Sequence, residues 1–570
     1  VTALAHVTVL AQQLRRDDRA TTPTAGGHRV FGHDKSRIPR VAVLALALPL
    51  LLAACSSAVG AGATDAGPPK PGGTLRLGIS SNPDCLDPQQ ISTNAALNVG
   101  RQLVDSLTDQ DPTSGKITPW LAEKWEVNPD STSFSFHLRS GATFSDGTPV
   151  DAAAVKSSFD GIKALGAKAL LGASYLATYK SSTVVDPNTV RIDFTAPSAQ
   201  FLQASSTMSL GILAPATYTK SAEQRCQGNG LIGSGPFVFT SFKPNQDVIL
   251  SKRKGYSWGS PLWKHQGEAY LDKIDYKIVP EPAVRTGSLA SGQLDAITDV
   301  QPVDEPQFTG NGFSEPVRSN PGIVFNLHAN TTRGVLADEK VRQAVSKGIN
   351  RQEVTSTVLT PNYKPATSIL GSATPLYTDL SAELAFDPAG AEALLQADGW
   401  LPGSDGIRTK AGQRLSASVV FSAVFNQNQS VLELIQQQLR KIGFDLRIEL
   451  HTNAEATQLQ QAGNYDFLWY NVTRADPDIL RQQFSTKAGN RSRLAPGNAL
   501  DTALDQQSAT VDVAIRKPAA EQAQRLIIDH AYAIPVFELT QVLALGPTTH
   551  AVNFEASSRL QLFDTWVSGS

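Results

Sequence analysis

Alternation of apolar and polar positions marks several half-buried strands. In "STSFSFHLR" (131–139) Phe134, Phe136 and Leu138 fall on one face, and "TVRIDF" (189–194) repeats the pattern with Val190, Ile192 and Phe194. "LDKIDYKIV" (271–279) alternates Ile274, Tyr276 and Ile278. A longer period governs the second half. "DEKVRQAVSKGIN" opens on Asp338 as a helix cap and carries an apolar stripe of Val341, Ala344, Val345 and Ile349. "DPAGAEALLQADGW" (387–400) predicts another short amphipathic helix. The longest unit is "NQSVLELIQQQLRKIGFDLRIEL" (428–450). There Val431, Leu432, Leu434, Ile435, Leu439 and Ile442 form a helical stripe, and Gly443 supplies a left-handed stop. Phe444, Leu446, Ile448 and Leu450 then alternate with polar residues as a strand. The fold class is mixed α/β, in more than one lobe.

One stretch resists this reading. "GNGLIGSGPF" (228–237) contains G-x-G-x-x-G, the dinucleotide-binding fingerprint, with Asp247 near the place of the ribose-binding acid. That pattern needs a buried strand before it and a helix starting at the glycines. Its lead-in here, "YTKSAEQRCQ", is polar, and Pro236 followed by "FVFTSF" reads as a strand. The stretch is a turn.

The N-terminal region has its own pattern. Arg37 and Arg40 precede an apolar run, Val41 to Ala54, interrupted by Pro49 and followed by Cys55. Fourteen residues are short for a membrane span and suit a signal-peptide core. "LAAC" (52–55) resembles a bacterial lipobox, in which cleavage precedes the cysteine and its thiol carries diacylglycerol. Residues 1–54 are thus expected to be a signal peptide with an N-terminal extension, and 55–72, rich in Ser, Ala, Gly and Pro, a flexible tether.

Composition narrows the partners. The chain has 570 residues, 50 Lys and Arg against 52 Asp and Glu, and a formal charge of −2. Nucleic acid is therefore not expected as a partner. Removing residues 1–54 leaves 43 basic and 49 acidic side chains, a mildly acidic −6. Three cysteines without C-x-x-C, and no H-E-x-x-H or P-loop, give no support for a metal or a cofactor. With Cys55 lipidated, Cys85 and Cys226 remain as an even pair, either a disulfide or two buried thiols.

In this order the segments resemble the family 5 extracellular solute-binding proteins, which serve peptide and nickel importers of the ATP-binding-cassette type. The resemblance runs from about Gly72 to Trp566. Its strongest part is "PWLAEKWEVNPDSTSFSFHLRSGATFSDGTPVDAAAVKSSFD" (119–160). It continues through "GSGPF", "SGQLDAI", "VFNLHAN", "DEKVRQAVSKGINR", "YDFLWYNVTRADPDIL" and "YAIPVFE". The resemblance implies a two-lobed periplasmic-binding-protein-like fold of the large class, with a hinge between lobes. Lobe I would cover 73–320, with an extra subdomain at about 111–229, and return at 535–570; lobe II would be 321–534. Crossovers are expected near Pro321–Asn326 and Ile534–Glu538.

Function follows from the resemblance: a lipid-anchored, non-enzymatic receptor on the extracytoplasmic face of the bacterial membrane. It would close on a peptide and deliver it to permease subunits driven by cytoplasmic ATPases. The ligand residues it implies are Asn82, Ser234 and Gly235 from lobe I, and Asn326, Asn426, Trp469, Asn471, Thr473, Arg474 and Asp476 from lobe II. The sequence departs from the family at two anchors. Peptide-binding relatives carry an Asp for the ligand's α-ammonium where this chain has Thr473, followed by Arg474, which is either paired with Asp476 or solvated. Dipeptide binders have an arginine for the carboxylate where "FNQNQS" offers Asn426, Gln427, Asn428 and Gln429. An oligopeptide is therefore expected over a dipeptide, with an oligosaccharide, a nickel chelate or another chelate as the alternative. Asp478 stands where a metal-contacting histidine would help, and His265, His328, His451 and His530 are expected to be structural or exposed. A secreted hydrolase built on Ser234, or on a His/Asp pair, lacks both G-x-S-x-G and a nearby histidine.

Overall fold

Eight consecutive buried residues, Gly322 to Ala329, form the strand on which one half of the molecule is built. A strand covered on both faces reads as continuous apolar sequence, and "GIVFNLHA" does. It is fourth in a five-stranded sheet ordered 445–450, 416–421, 467–473, 322–329, 533–537. Strand 416–421 runs parallel to both its neighbours, whereas 322–329 is antiparallel to both of its own. The helices Glu339–Lys347 and Asn428–Lys441 cover one face through Val341, Val345, Val431 and Ile435. Helices Ala499–Ser508 and Val513–Asp529 cover the other through Leu504 and Ile527. Gly443 takes φ +82° at the helix end, as its place in the sequence predicts. The computed structural model describes residues 67–569; the signal-like run, Cys55 and the tether up to residue 66 lie outside the described residues.

The other half centres on a six-stranded sheet ordered 544–545, 296–297, 74–79, 273–278, 247–252, 237–243. The strands predicted at 133–138 and 189–194 pair antiparallel inside a separate four-stranded sheet, 122–127, 133–138, 189–194, 179–186. Helix Ala152–Leu165 packs on that small sheet, and Phe134, Phe136 and Phe159 each meet Phe201 edge-on, with centroids 5.0–5.9 Å apart. Its core is continuous with that of the six-stranded sheet.

The chain crosses between the two large sheets at a ribbon. Val317–Ser319 leads into the five-stranded sheet, Thr540–Val542 leads out, and the two segments pair antiparallel. The crossovers expected at Pro321–Asn326 and Ile534–Glu538 are therefore misplaced. Most of both segments lies in buried strands, 322–329 and 533–537, which pair with each other. Short apolar runs beside proline resemble linkers, but here they are sheet interior.

Cys85 and Cys226 form a disulfide, 141 residues apart in sequence. It joins the loop after strand 74–79 to the end of helix Ala222–Cys226, and Leu86 N donates to Cys226 O beside it at 3.0 Å.

The turn "GSGPF" packs against residues 102–104. A Cβ on Gly233 would lie 1.9 Å from Leu103 O, and one on Gly235 would lie 2.5 Å from the Leu103 carbonyl carbon. The two glycines permit this close approach of backbone to backbone. Ser234 is fully buried; its hydroxyl accepts from Asp105 N at 2.8 Å and donates to Ile212 O at 3.0 Å. The Asp105 carboxyl beneath accepts from Trp258 Nε1 at 2.8 Å and from the Tyr256 hydroxyl at 3.1 Å. Burial pushes its pKa from 3.8 up to about 7, against the pull of Trp258, Arg101, Tyr256 and Arg253.

A raised carboxyl pKa means that the folded state holds a proton the unfolded chain has released. The stability Asp105 contributes is complete below about pH 4 and is lost as the pH rises to about 7. Melting temperature should therefore fall more steeply in wild type than in Asp105→Asn between pH 4 and 7.5. Parallel curves would show that Asp105 is ionised throughout.

Candidate functional site

Strand Phe467–Thr473 pairs with 416–421 only through Phe467 and Leu468. Beyond Leu468 that edge has no strand partner among the described residues, while the opposite edge continues along 322–329 to Thr473. The open edge ends at Arg474, where the five-stranded half meets the small sheet and its helices. Arg474 is 4% exposed. Its guanidinium donates to Ser174 Oγ at 2.7 Å and Gln200 Oε1 at 3.2 Å, and lies 4.0 Å from the centre of the Tyr175 ring. All three partners belong to the other half of the molecule. Gln110 Nε2 donates to Ala475 O at 3.1 Å, Ala199 N to Ser508 O at 3.2 Å, and Gln482 Nε2 to Ser174 O at 3.3 Å. Asn426 and Gln427 both donate to Gln301 Oε1 at 3.1 Å. The two halves are closed on one another.

Arg474 is neither solvated nor paired with Asp476. Asp476 is held by Arg516 at 2.8 and 3.2 Å, a two-pronged contact buried within lobe II. Thr473 Oγ1 accepts from Asn320 Nδ2 at 2.8 Å, leaving Asn320 Oδ1 buried without a partner. Asn471 is half-buried, and its carboxamide makes no hydrogen bond to the described residues. Arg474 and Asn426 reach the other half of the molecule, and Thr473 meets Asn320 next to the ribbon.

Other expected ligand residues lie elsewhere. Trp469 is 4% exposed, donates to Asn428 Oδ1 at 2.8 Å and stacks on Phe325, so it belongs to the core. Asn326 is inside the sheet, donating to Val324 O and Tyr470 O with its Oδ1 unpartnered. Ser234 and Gly235 face the 102–104 segment, as described above. Asn82 accepts from Asn245 N at 2.9 Å, at the tip of the hairpin between 237–243 and 247–252. His328 is buried between Tyr470 OH at 2.8 Å and Ser492 Oγ at 2.9 Å, and burial holds its pKa well below 6.5, so it is a structural neutral imidazole.

The sequence reading missed the lobe I side of the junction: Ser174, Tyr175 and Gln200. It also missed the C-terminal turn 555–559, where Ser558 Oγ donates to Ser319 O at 3.2 Å. A cavity of about 170 Å³ opens beside this turn, lined by Asp109, Gln110, Trp263, Lys264, Phe554 and Glu555 among others. Burial raises the Asp109 pKa to about 6, so this wall titrates near neutrality.

Comparison with known proteins agrees with this geometry. Residues 116–492 match the model of the middle part of the bacterial extracellular solute-binding proteins, family 5. A probable D,D-dipeptide-binding periplasmic protein of Escherichia coli K12, DdpA, is 26% identical over 487 residues, covering 83% of this chain and 90% of its own. Among solved structures, NikA from Brucella suis in complex with Fe(III)-EDTA superposes with a TM-score of 0.76 at 23% identity, over 87% of this chain and 100% of its own. The oligopeptide-binding protein AppA from Bacillus subtilis, with a nonapeptide, gives 0.69 at 18% identity, over 88% of this chain and 100% of its own. The structural likenesses establish the two-lobed periplasmic-binding-protein fold, and the match across 116–492 shows that the chain belongs to the family 5 bacterial extracellular solute-binding proteins of ABC importers.

Proposed function

We propose that this protein captures peptides, oligopeptides in preference to dipeptides, between its lobes and delivers them to a membrane permease. The observation that carries this reading is the open edge of strand 467–473. A peptide laid along it gains main-chain hydrogen bonds whatever its side chains, which gives affinity with loose specificity. A solute touching both lobes binds the closed state better and draws the hinge equilibrium towards it. Deep charge anchoring of an α-ammonium has no support in lobe II, because Thr473 is neutral, Asp476 is committed to Arg516, and Arg474 repels a cation. That disfavours a zwitterionic dipeptide. The relatives named above bind a D,D-dipeptide, an iron chelate and a nonapeptide, so the family likeness leaves ligand length open.

Titration calorimetry of ligand-stripped protein with di-, tetra- and hexapeptide pools should show binding for the longer pools and little for dipeptides. Thr473→Asp keeps an acceptor for Asn320 and adds a carboxylate. It should gain roughly tenfold for short peptides with free N-termini and nothing for N-acetylated ones, since a charge-assisted hydrogen bond contributes about 1.5–3 kcal/mol. If no pool binds at any length, the peptide reading fails.

Arg474 holds the closed form together before any ligand contributes. Its contacts are of the charged type, about 1.5–3 kcal/mol each, so Arg474→Leu should shift the closed–open balance at least tenfold towards open. Small-angle scattering should then report a larger radius of gyration for the ligand-free variant. An unchanged radius would remove Arg474 from the closure mechanism.

We also infer that the protein works at the extracytoplasmic membrane surface, held by lipid on Cys55. Stable retention needs more than one acyl chain, as lipoprotein processing provides. Cys55→Ala should leave the membrane fraction or accumulate unprocessed; fractionation and migration identical to wild type would end the lipobox reading.

A further inference from the structure

Ten arginines are buried among the described residues, and nine of them are hydrogen-bonded or ion-paired through their side chains. Arg285, for example, donates to four backbone carbonyls, and Arg351 donates to carbonyls and to a serine hydroxyl. Arg559 is the exception. It is 7% exposed, Nη1 is completely buried without a partner, and the guanidinium has neither a hydrogen bond nor an ion pair among the described residues. A guanidinium stays charged in proteins, and a buried unpaired charge is among the most destabilising features a fold can carry.

One oxygen of each nearby carboxylate is engaged elsewhere. Glu555 Oε1 accepts from the Ser557 hydroxyl and from Arg559's own backbone N at 3.0 Å. Asp299 Oδ2 accepts from the Ser80 and Thr298 hydroxyls at 2.6 and 2.9 Å. Both carboxylates, and Tyr175, act on Arg559 only through space, and burial outweighs them in holding its pKa below the usual value. Tyr175, one of the groups that act on Arg559 through space, is the ring that Arg474 covers from the opposite lobe. The turn that carries Arg559 is tied to the hinge by Ser558 Oγ on Ser319 O, and Arg318 Nη2 donates to Ala556 O at 3.3 Å. Two further acceptors are buried without partners, Asn320 Oδ1, whose amide nitrogen donates to Thr473, and Gln203 Oε1.

We propose that Arg559 is the anchor for an anionic group of the solute, so that the cleft selects acidic solutes that also carry N–H or O–H donors. The inference rests on the reading that the solute binds between the lobes. The missing counter-charge arrives with the ligand, as a carboxylate matched to the guanidinium fork, and the orphan acceptors take the ligand's donors. A site lacking its anion next to the hinge also gives the ligand differential affinity for the closed state.

The test uses ligand-stripped wild type, Arg559→Met and Arg559→Lys, each confirmed folded by thermal melting, with binding measured by calorimetry. The probes are a tetrapeptide pool with free C-terminal carboxylates, the same pool amidated, citrate and inorganic phosphate. Wild type should prefer an acid probe over its neutral counterpart roughly tenfold or more; Arg559→Met should abolish that preference, and Arg559→Lys should retain part of it. Without ligand, Arg559→Met should melt no lower than wild type, because an unpaired buried charge is gone. If Arg559→Met does not fold, the acid-to-amide ratio of wild type and the loss in Arg559→Lys decide. Equal binding of the acid and amidated pools, with no Arg559-dependent binding of citrate or phosphate, overturns the inference and leaves the peptide reading standing. Arg559-dependent binding of citrate or phosphate, with neither peptide pool bound, overturns the peptide reading and upholds the inference. Wild type that binds no anion overturns it as well.

Discussion

The two large sheets of this protein are joined through three antiparallel residue pairs, Val317 with Val542, Arg318 with Gln541 and Ser319 with Thr540. The chain passes between its two large sheets twice, and both passages lie in this ribbon. Two short paired segments are the kind of link that hinged lobes bend at, while the strands that flank the ribbon are packed. Those flanking strands, 322–329 and 533–537, are buried along their whole length. The link between the two halves is thereby a few residues set between two packed bodies.

Closure is a balance between contacts of different character. Near Gln301 the lobes meet through neutral amides of Asn426 and Gln427, which exchange readily with water. At the far end they meet through Arg474, a buried cation gripped by a hydroxyl, an amide oxygen and an aromatic face, with no carboxylate. Neutral acceptors compensate a guanidinium less fully than a carboxylate would, so this clasp holds without locking. A receptor that must open and hand over its cargo needs that intermediate strength.

Local periodicity carried most of the architecture. The strands at 133–138, 189–194 and 273–278 and the helices at 339–347, 388–397 and 428–441 follow from the spacing of their apolar residues. The "GSGPF" turn was legible as a turn, but its partner was not: Leu103 lies some 130 residues earlier, and no local pattern points to it. The crossovers were misread because a buried strand eight residues long and a linker beside proline look alike over a short window. The motif around residues 469–476 mixes core and junction positions, because period 2 sends successive side chains to opposite faces. Trp469 went into the core while Arg474, just past the strand end, reached the other lobe. Ser174, Tyr175 and Gln200 sit on segments whose only signal is tertiary.

Arg559 illustrates the limit most clearly. In sequence it is one arginine in a polar turn, "ASSRLQ", indistinguishable from a solvated surface residue. Its meaning comes from what the fold withholds from it. Glu555 is four residues away and near enough to act on it through space, yet one of its oxygens is taken by Ser557 and by the backbone of the same turn. Folding thus buries a charge without pairing it. Elsewhere in the same chain a buried arginine is fully compensated, as Arg516 is by Asp476. The contrast within one molecule separates two settings of the same side chain: Arg516 is closed off by a buried carboxylate, and Arg559 is buried without one.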